Sequence, residues 1–388
     1  MKNVYLDNNA TTMVAPEVRD AMAPFFDELW GNPSSIHTFG GQVKKHMDRA
    51  REQVAALIGA DPSEIVFTSC GSESDNMAVR GAVEALGGYP HIVTTRVEHP
   101  AVLTVCRYLA DLGCKLTELK VDSEGRLDLD ELRNSIHSNA TVVSIMWANN
   151  ETGVIFPMDE IAQIVKEAGA VLHTDAVQIV GKLPVNVKKT PVDMLSLSGH
   201  KLHTPKGVGA LYVRKGTKVN PLILGGHQEG GKRAGTENVP YIVGLGRACE
   251  LAAEHMDEEI VRVQAMRDRL EEGILATCPD VRVNGDRENR LPNTLNVGFE
   301  FIEGEAILLM LDEVGIAASS GSACTSGSLE PSHVMRAMGI PFTAAHGSIR
   351  FSLSRYNTEE DVSYTLEHVP RVVKRLRELS PFVQKAGD

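Results

Sequence analysis

From residue 64 onward, short apolar runs alternate with stretches in which apolar positions recur every three or four residues. The run EIVFTS (64–69) reads as a strand and 72–86 as a helix. HIVTTRV (91–97) is again a strand, followed by a helix over 100–113 whose Pro100 suits a first turn. The cycle repeats with a strand at 115–121, a helix at 128–136, a strand at 141–148 and a helix at 158–169, where Gly169 can act as a C-cap. Apolar runs at 171–176, 193–198 and 209–215 then follow with little room for helices between them. This alternation predicts an α/β fold with a mostly parallel sheet covered on both faces, to which the closing strands add an antiparallel edge. Sites in such sheets gather beyond the carboxyl ends of the strands.

The pattern changes after residue 250. A long helix is expected over 258–275, then short strands at 281–285 and 294–299, with helices at 305–315 and 358–379. The chain therefore divides into a large domain, 16–253, and a smaller α/β domain made of 1–15 and 254–388. No internal repeat, low-complexity tract or clear linker interrupts it.

Composition narrows the function classes. Hydrophobic residues make up 43% and charged residues 23%, which suits a globular chain with a sizeable core. The formal net charge of −12 argues against a nucleic-acid groove, which needs a basic face. Neither a signal peptide nor a run of 18 apolar residues is read, so no membrane span is expected. The six cysteines form no CxxC pair, disulfide framework or zinc site. A reducing cytoplasm is the expected compartment.

Six places carry candidate chemistry. Lys201 follows an apolar run in a tight Ser198-Gly199-His200-Lys201 turn, where an amine can form a Schiff base with an aldehyde; alone it also reads as a solvated loop lysine. Asp175 ends another apolar run, as a helix cap or as the partner of a buried cation. The segment 68–76 places Gly71 and Ser72 where a helix begins after a strand, a setting that receives phosphate, or an ordinary capping box of Ser72 with Glu73 and Asp75. His99 beside Pro100 is either a structural histidine or a ring over a planar cofactor. Cys324 sits in SSGSACTSGS (319–328) among small residues, unlike the other cysteines, and reads as a mobile thiol or a plain surface loop. Arg350 leaves the apolar face of a strand at 348–355, suited to a carboxylate or to a surface salt bridge. No GxxxxGK[ST] or strand-linked GxGxxG is present, so a nucleotide fold is not supported.

With these residues in view, the chain resembles the class V aminotransferase-like enzymes of fold type I, which use pyridoxal 5'-phosphate (PLP). Within them it is similar to the NifS-type cysteine desulfurases of nitrogenase maturation. The likeness runs nearly end to end, through YLDNNATT (5–12), GNPSS (31–35), WANNETG (147–153), HTDAVQ (173–178), LSGHKLH (197–203), RAGTENV (233–239), 319–339 and IRFSLSRY (349–356). The resemblance implies that Lys201 binds the cofactor aldehyde and acts as base at the substrate Cα. It implies that Asp175 pairs the ring nitrogen, Gln178 bonds the ring oxygen and His99 stacks on the ring. Gly71, Ser72, Ser198 and His200 would hold the phosphate, with Thr236 from the second subunit of a homodimer. Asn150 and Arg350 would hold the substrate carboxylate. Cys324 would accept sulfur from L-cysteine as a persulfide, leaving L-alanine, for delivery to a NifU-type iron–sulfur scaffold or another acceptor. Ser72 stands where relatives often have threonine, and Lys232 where arginine is common. Two other readings stay open at this level: a PLP aminotransferase or selenocysteine lyase, and a sulfur carrier or scaffold without enzymatic activity.

Overall fold

A computed structural model of the chain describes residues 2–137, 141–320 and 330–380. The chain opens with strand β1 (Val4–Tyr5), then helices α1 (Pro16–Met22), α2 (Pro24–Asp27) and α3 (Thr38–Ile58). The alternating region follows as β2 (Ile65–Thr68), α4 (Gly71–Leu86), β3 (His91–Thr95), α5 (Pro100–Asp111), β4 (Leu116–Leu119) and α6 (Leu129–Ser135). It continues with β5 (Thr141–Ser144), α7 (Met158–Glu167), β6 (Val171–Asp175), β7 (Met194–Ser198) and β8 (Gly209–Val213).

These strands form one seven-stranded sheet in the order β2-β8-β7-β6-β5-β3-β4. Strands β3 to β7 pair in parallel, whereas β8 is antiparallel to both of its neighbours. The antiparallel strand is thus not the edge that the sequence predicts. The edge is β2, which lies earlier in the chain and adds itself outside β8. Side chains alternate across the sheet. Val66, Ile92, Val142, Met194 and Leu211 pack with α4 and α5. Phe67, Val93, Val143, Leu195 and Tyr212 join the larger core with α1, α3 and α7. Burial on both faces explains why these strands read as continuous apolar runs.

Helix α8 (Val239–Thr277) is a single helix of 39 residues, far longer than the 258–275 expected. Its first half carries Gly244 and Gly246, whose missing side chains let the helix lie close to α1 and α3. A Cβ at Gly246 would stand 2.6 Å from Ala50 Cα. The remaining elements are β9 (Val281–Val283), β10 (Thr294–Phe299), α9 (Gly304–Glu313), β11 (Ile316–Ala317), α10 (His333–Ala337), α11 (Phe342–His346), β12 (Ser348–Ser352) and α12 (Glu359–Leu379). Here β12, β10 and β9 form an antiparallel sheet, and β1 pairs in parallel with β11. A second core gathers Val4 and Leu6 with Leu270, Val297, Ile307, Phe351 and Val369. The division expected at residues 253/254 falls inside α8, between Leu245–Ala252 in the first core and Val263–Ile274 in the second.

Candidate active site

Strands β6 and β7 lie side by side in parallel, with Asp175 opposite Ser196. Their carboxyl ends therefore deliver Asp175 and the Ser198–Lys201 turn to one place. Gly199 is required in this turn: a Cβ would stand 2.3 Å from Thr204 Oγ1. Asp175 is buried, and its Oδ1 accepts the Val177 N–H at 2.9 Å. Burial raises its pKa above the usual carboxylate value, against the pull of His99, the Val177 bond and Lys201. Lys201 Nζ donates to the carbonyls of Asn9 (2.5 Å) and Ala10 (2.7 Å).

Between β2 and α4 the chain turns without a side-chain cap. The cap position is Cys70, not Ser72, so the capping-box alternative is not realised. Glu73 turns away instead, accepting from the Ser69 N–H at 2.8 Å and from Arg233 Nε at 2.8 Å. A Cβ on Gly71 would lie 3.0 Å from Val177 Cγ2 and 3.3 Å from Ser198 Cβ. Ser198 Oγ is buried with no hydrogen-bond partner among the described residues. An uncapped helix start facing an unpartnered hydroxyl is a setting for an anion.

His99 serves two ends. It caps α5, its Nδ1 accepting the Ala101 N–H at 3.2 Å, and it also lines the cleft. An accepting Nδ1 leaves the proton of the neutral ring on Nε2. Burial lowers its pKa, Asp175 opposes that, and Lys201 and His333 lower it further.

Arg350 is not a surface residue. Every residue of β12 is buried, and Arg350 is 2% exposed. Its guanidinium donates to Asp7 Oδ1 at 2.7 Å and to the Asn150 carbonyl at 2.9 Å. Gln178 donates from Nε2 to the Asn9 carbonyl (3.1 Å), while its Oε1 accepts from Lys182 (2.9 Å).

A cleft of about 1070 Å³, counting its open mouth, brings together Gly71, Ser72, His99, Asn150, Asp175, Gln178, Ser198, His200, Lys201 and Arg350. Thr236 is exposed and does not line it. Cys324 lies outside the described residues. The cleft also holds Asn9, Cys70, Glu151 and His333, which sequence reasoning did not single out, and Asp75, which it read only as part of a capping box. Asn9 and Glu151 stand in motifs read only as family markers. Cys70 is half-exposed at the cleft, whereas Cys106, Cys114, Cys249 and Cys278 are buried. Glu151 accepts from Ser332 Oγ at 2.5 Å, and burial raises its pKa despite Ser332, His333 and Arg350. Just outside the cleft, burial with Lys201 and Arg350 nearby pushes Lys182 down to about 7.

The family described as Aminotransferase class-V matches residues 4–365. The chain belongs to that family. Among family members with curated names, it is 60% identical to a cysteine desulfurase of Nostoc sp., over 98% of this chain and 96% of the relative. It is 58% identical to the cysteine desulfurase NifS of Azotobacter vinelandii, over 98% of this chain and 95% of that one. A solved NifS-like protein superimposes with a TM-score of 0.91 at 41% identity, covering 97% of this chain and 100% of its own. The α/β, fold type I architecture expected from the sequence is thus the observed one.

Proposed function

We propose that the protein is a PLP-dependent cysteine desulfurase, which converts L-cysteine to L-alanine and takes the sulfur onto Cys324 as a persulfide. The observation that carries this reading is the convergence of Lys201, Asp175, the uncapped start of α4 and Arg350 on one cleft.

The residues present fit the cofactor. The buried Asp175 suits a protonated ring nitrogen, and the unpartnered Ser198 Oγ, the α4 amides, Ser72 and His200 suit a phosphate. When bound, PLP supplies an aldehyde for an amine and a ring that accepts an electron pair from the carbon beside that amine. Asp175 would hold the proton at the ring nitrogen. Lys201 would hold the aldehyde end, and its Nζ, once released, would be the base for the Cα proton. Gln178 would donate to the ring oxygen, and His99, which lines the cleft, would flank the ring. Arg350 and Asn150 hold the substrate carboxylate. A guanidinium carries five N–H donors in a planar fork, so Arg350 can bond a substrate carboxylate as well as Asp7.

The Cys324 thiolate attacks the substrate sulfur; the S–S bond forms as the Cβ–S bond breaks, and the carbon pair is protonated to give alanine. Net, cysteine and one thiol give alanine and one persulfide, and no outside oxidant is needed. The 60% identity to a cysteine desulfurase supports this chemistry over transamination. We further propose a cytoplasmic homodimer, in which Thr236 of the partner subunit completes the phosphate site. Its sulfur acceptor is a NifU-type iron–sulfur scaffold serving nitrogenase; the likeness to NifS supports that role.

The test is direct. Purified protein is incubated with cysteine, with and without reductant, and alanine and sulfide are measured together. After brief exposure, mass spectrometry should find one added sulfur on the Cys324 peptide. Alanine without a keto-acid partner supports the reading. A persulfide reproducibly on another cysteine, with Cys324→Ala releasing alanine normally, overturns it.

A further inference from the structure

Gln178 and Lys182 belong to a run of tight turns after β6. The Val180 and Lys182 N–H groups donate to the Ala176 and Ile179 carbonyls, at 3.1 and 3.0 Å. Gly181 has φ of +78°, and a Cβ there would stand 2.2 Å from Leu202 Cδ2. Only glycine fits, and it curls the chain so that Lys182 folds back onto Gln178. Lys182 Nζ then donates to the Gln178 main-chain carbonyl and to its side-chain Oε1, each at 2.9 Å.

An amide's oxygen and nitrogen are told apart by their partners. The Gln178 carbonyl can only accept, so Lys182 donates to it whether the amine is charged or neutral. On the other side of the amide stands the Asn9 carbonyl, which also can only accept, 3.1 Å from Gln178 Nε2. The Asn9 carbonyl therefore demands NH2 toward itself and the cleft, and the ammonium form of Lys182, which can only donate, demands the oxygen on its own side. That carbonyl is itself held firmly. Asn9 is 2% exposed, its N–H bonded to Ser352 Oγ and its side chain to Thr294 and Asn293.

We infer that Lys182 is a positioning residue, fixing the Gln178 amide so that it presents a donor to the oxygen of the cofactor ring. The inference rests on the cleft holding PLP, and it adds a residue that never touches the cofactor.

The experiment loads wild-type protein, Lys182→Met, Gln178→Leu and the double variant with PLP. It follows cofactor loss on dilution and the position of the visible absorbance band. Lys182→Met should speed the loss by about three- to tenfold, the worth of one neutral hydrogen bond. Its band should move in the same direction as that of Gln178→Leu. In the Gln178→Leu background, Lys182→Met should add nothing, because its effect passes through the amide. An unchanged Lys182→Met, or a full effect surviving in the double variant, overturns the inference. If wild-type protein takes up no PLP, the reading of the cleft falls and this falls with it. If PLP binds and only the Lys182 result fails, the cleft reading stands. Should Lys182→Met not fold, a neutron structure of the wild-type holoenzyme decides: deuterons on the amide atom facing Lys182 would overturn the assignment.

Discussion

The two walls of the cleft are built on different plans. One wall hangs from the central sheet and carries ionisable groups: the buried Asp75 and Asp175 and the half-buried His99, with Lys201 on the turn after β7. The other is assembled from the N-terminal segment, β10 and β12. Apart from the Arg350–Asp7 pair, it is a web of neutral amides and hydroxyls. Asn9 reaches Thr294 at 2.8 Å, Asn293 at 3.0 Å and Ser352 Oγ at 2.9 Å. The difference teaches a division of labour. The ionisable groups sit at the carboxyl end of the central sheet, where neighbouring strands and helices fix them from several sides. Neutral groups, which cost little at any pH, tie the far wall in place and set where Lys201 and Gln178 rest.

If that division holds, substitutions on the sheet wall should cost rate while leaving stability nearly intact. Lys201→Ala should show the largest effect, a loss of alanine formation of at least about 10⁴-fold. Its melting temperature should stay within about 3 °C of wild type, since the Asn9 carbonyl keeps its bond from Gln178. Borohydride reduction and peptide mapping of the native protein should tag Lys201. A tag on another lysine, or a variant that melts far lower, would break the comparison at its strongest point.

The cysteines sharpen it next. Cys70 lines the sheet wall, so a second thiol stands in the cleft beside the acceptor role assigned to Cys324. Cys324→Ala should lower alanine release by about 10⁴-fold or more, the scale of losing a catalytic nucleophile. Cys70→Ala should cost less than about tenfold, since Cys70 provides no side-chain cap to α4. Comparable losses from both, read as alanine per enzyme, would mean that the cleft thiol shares in sulfur transfer.

The same contrast explains what could be read from the chain. Asp175 and Lys201 each close an apolar run, so strand periodicity alone puts them at a sheet end, and the rule for sites in such sheets does the rest. Arg350 was visible as the polar phase of an alternating strand, but its burial was not. That depends on pairing Asn296 with Arg350 in the register of β10 and β12, and on Asp7 arriving from the other end of the chain. Asn9 was missed for the same reason: its role is set by contacts such as that with Thr294, 285 positions apart. Lys182 was missed although its partner Gln178 is only four positions away, because the turn that folds it back is set by packing of Gly181 against Leu202. The position of β8 failed likewise, because strand order is not written in local pattern. The first half of α8 was missed because its glycines and alanines serve close packing and blur an apolar stripe.

On the far wall, Asn9→Ala should do the opposite of Lys201→Ala. It strips partners from buried Thr294 and Asn293, a cost of about 1–3 kcal/mol, or a few degrees of Tm. With the Asn9 carbonyl less firmly held, KM for cysteine should rise by up to about tenfold while kcat falls less. Thermal melts with steady-state kinetics on one preparation read both quantities. A variant as stable as wild type but without turnover would mean that the far wall carries chemistry of its own.

The smallest effect on turnover is expected beneath the sheet wall, where Glu98 tests whether buried charge sets the pH response of the fold. Glu98 is fully buried; its Oε1 accepts from Thr95 Oγ1 (2.8 Å) and the Met146 N–H (2.9 Å), and Oε2 has no partner among the described residues. Burial pushes its pKa up to about 8, against the pull of the Met146 and Thr95 bonds. In the unfolded chain it ionises near the ordinary 4.5. Below that value both states hold the proton and Glu98 costs nothing. Between the two, the folded protein keeps a proton that the unfolded chain has lost, so stability drains by about 1.4 kcal/mol per pH unit and levels off above the folded pKa. Glu98→Gln keeps the accepting oxygen and removes the titration. Its melting temperature should therefore gain on wild type steadily from about pH 5 to about pH 8, by several degrees in all. The change in the difference matters, since the substitution carries a fixed packing effect of its own. Parallel melting curves across that range would mean that Glu98 does not govern the pH response, and that the sheet wall tolerates its carboxylates by some other route.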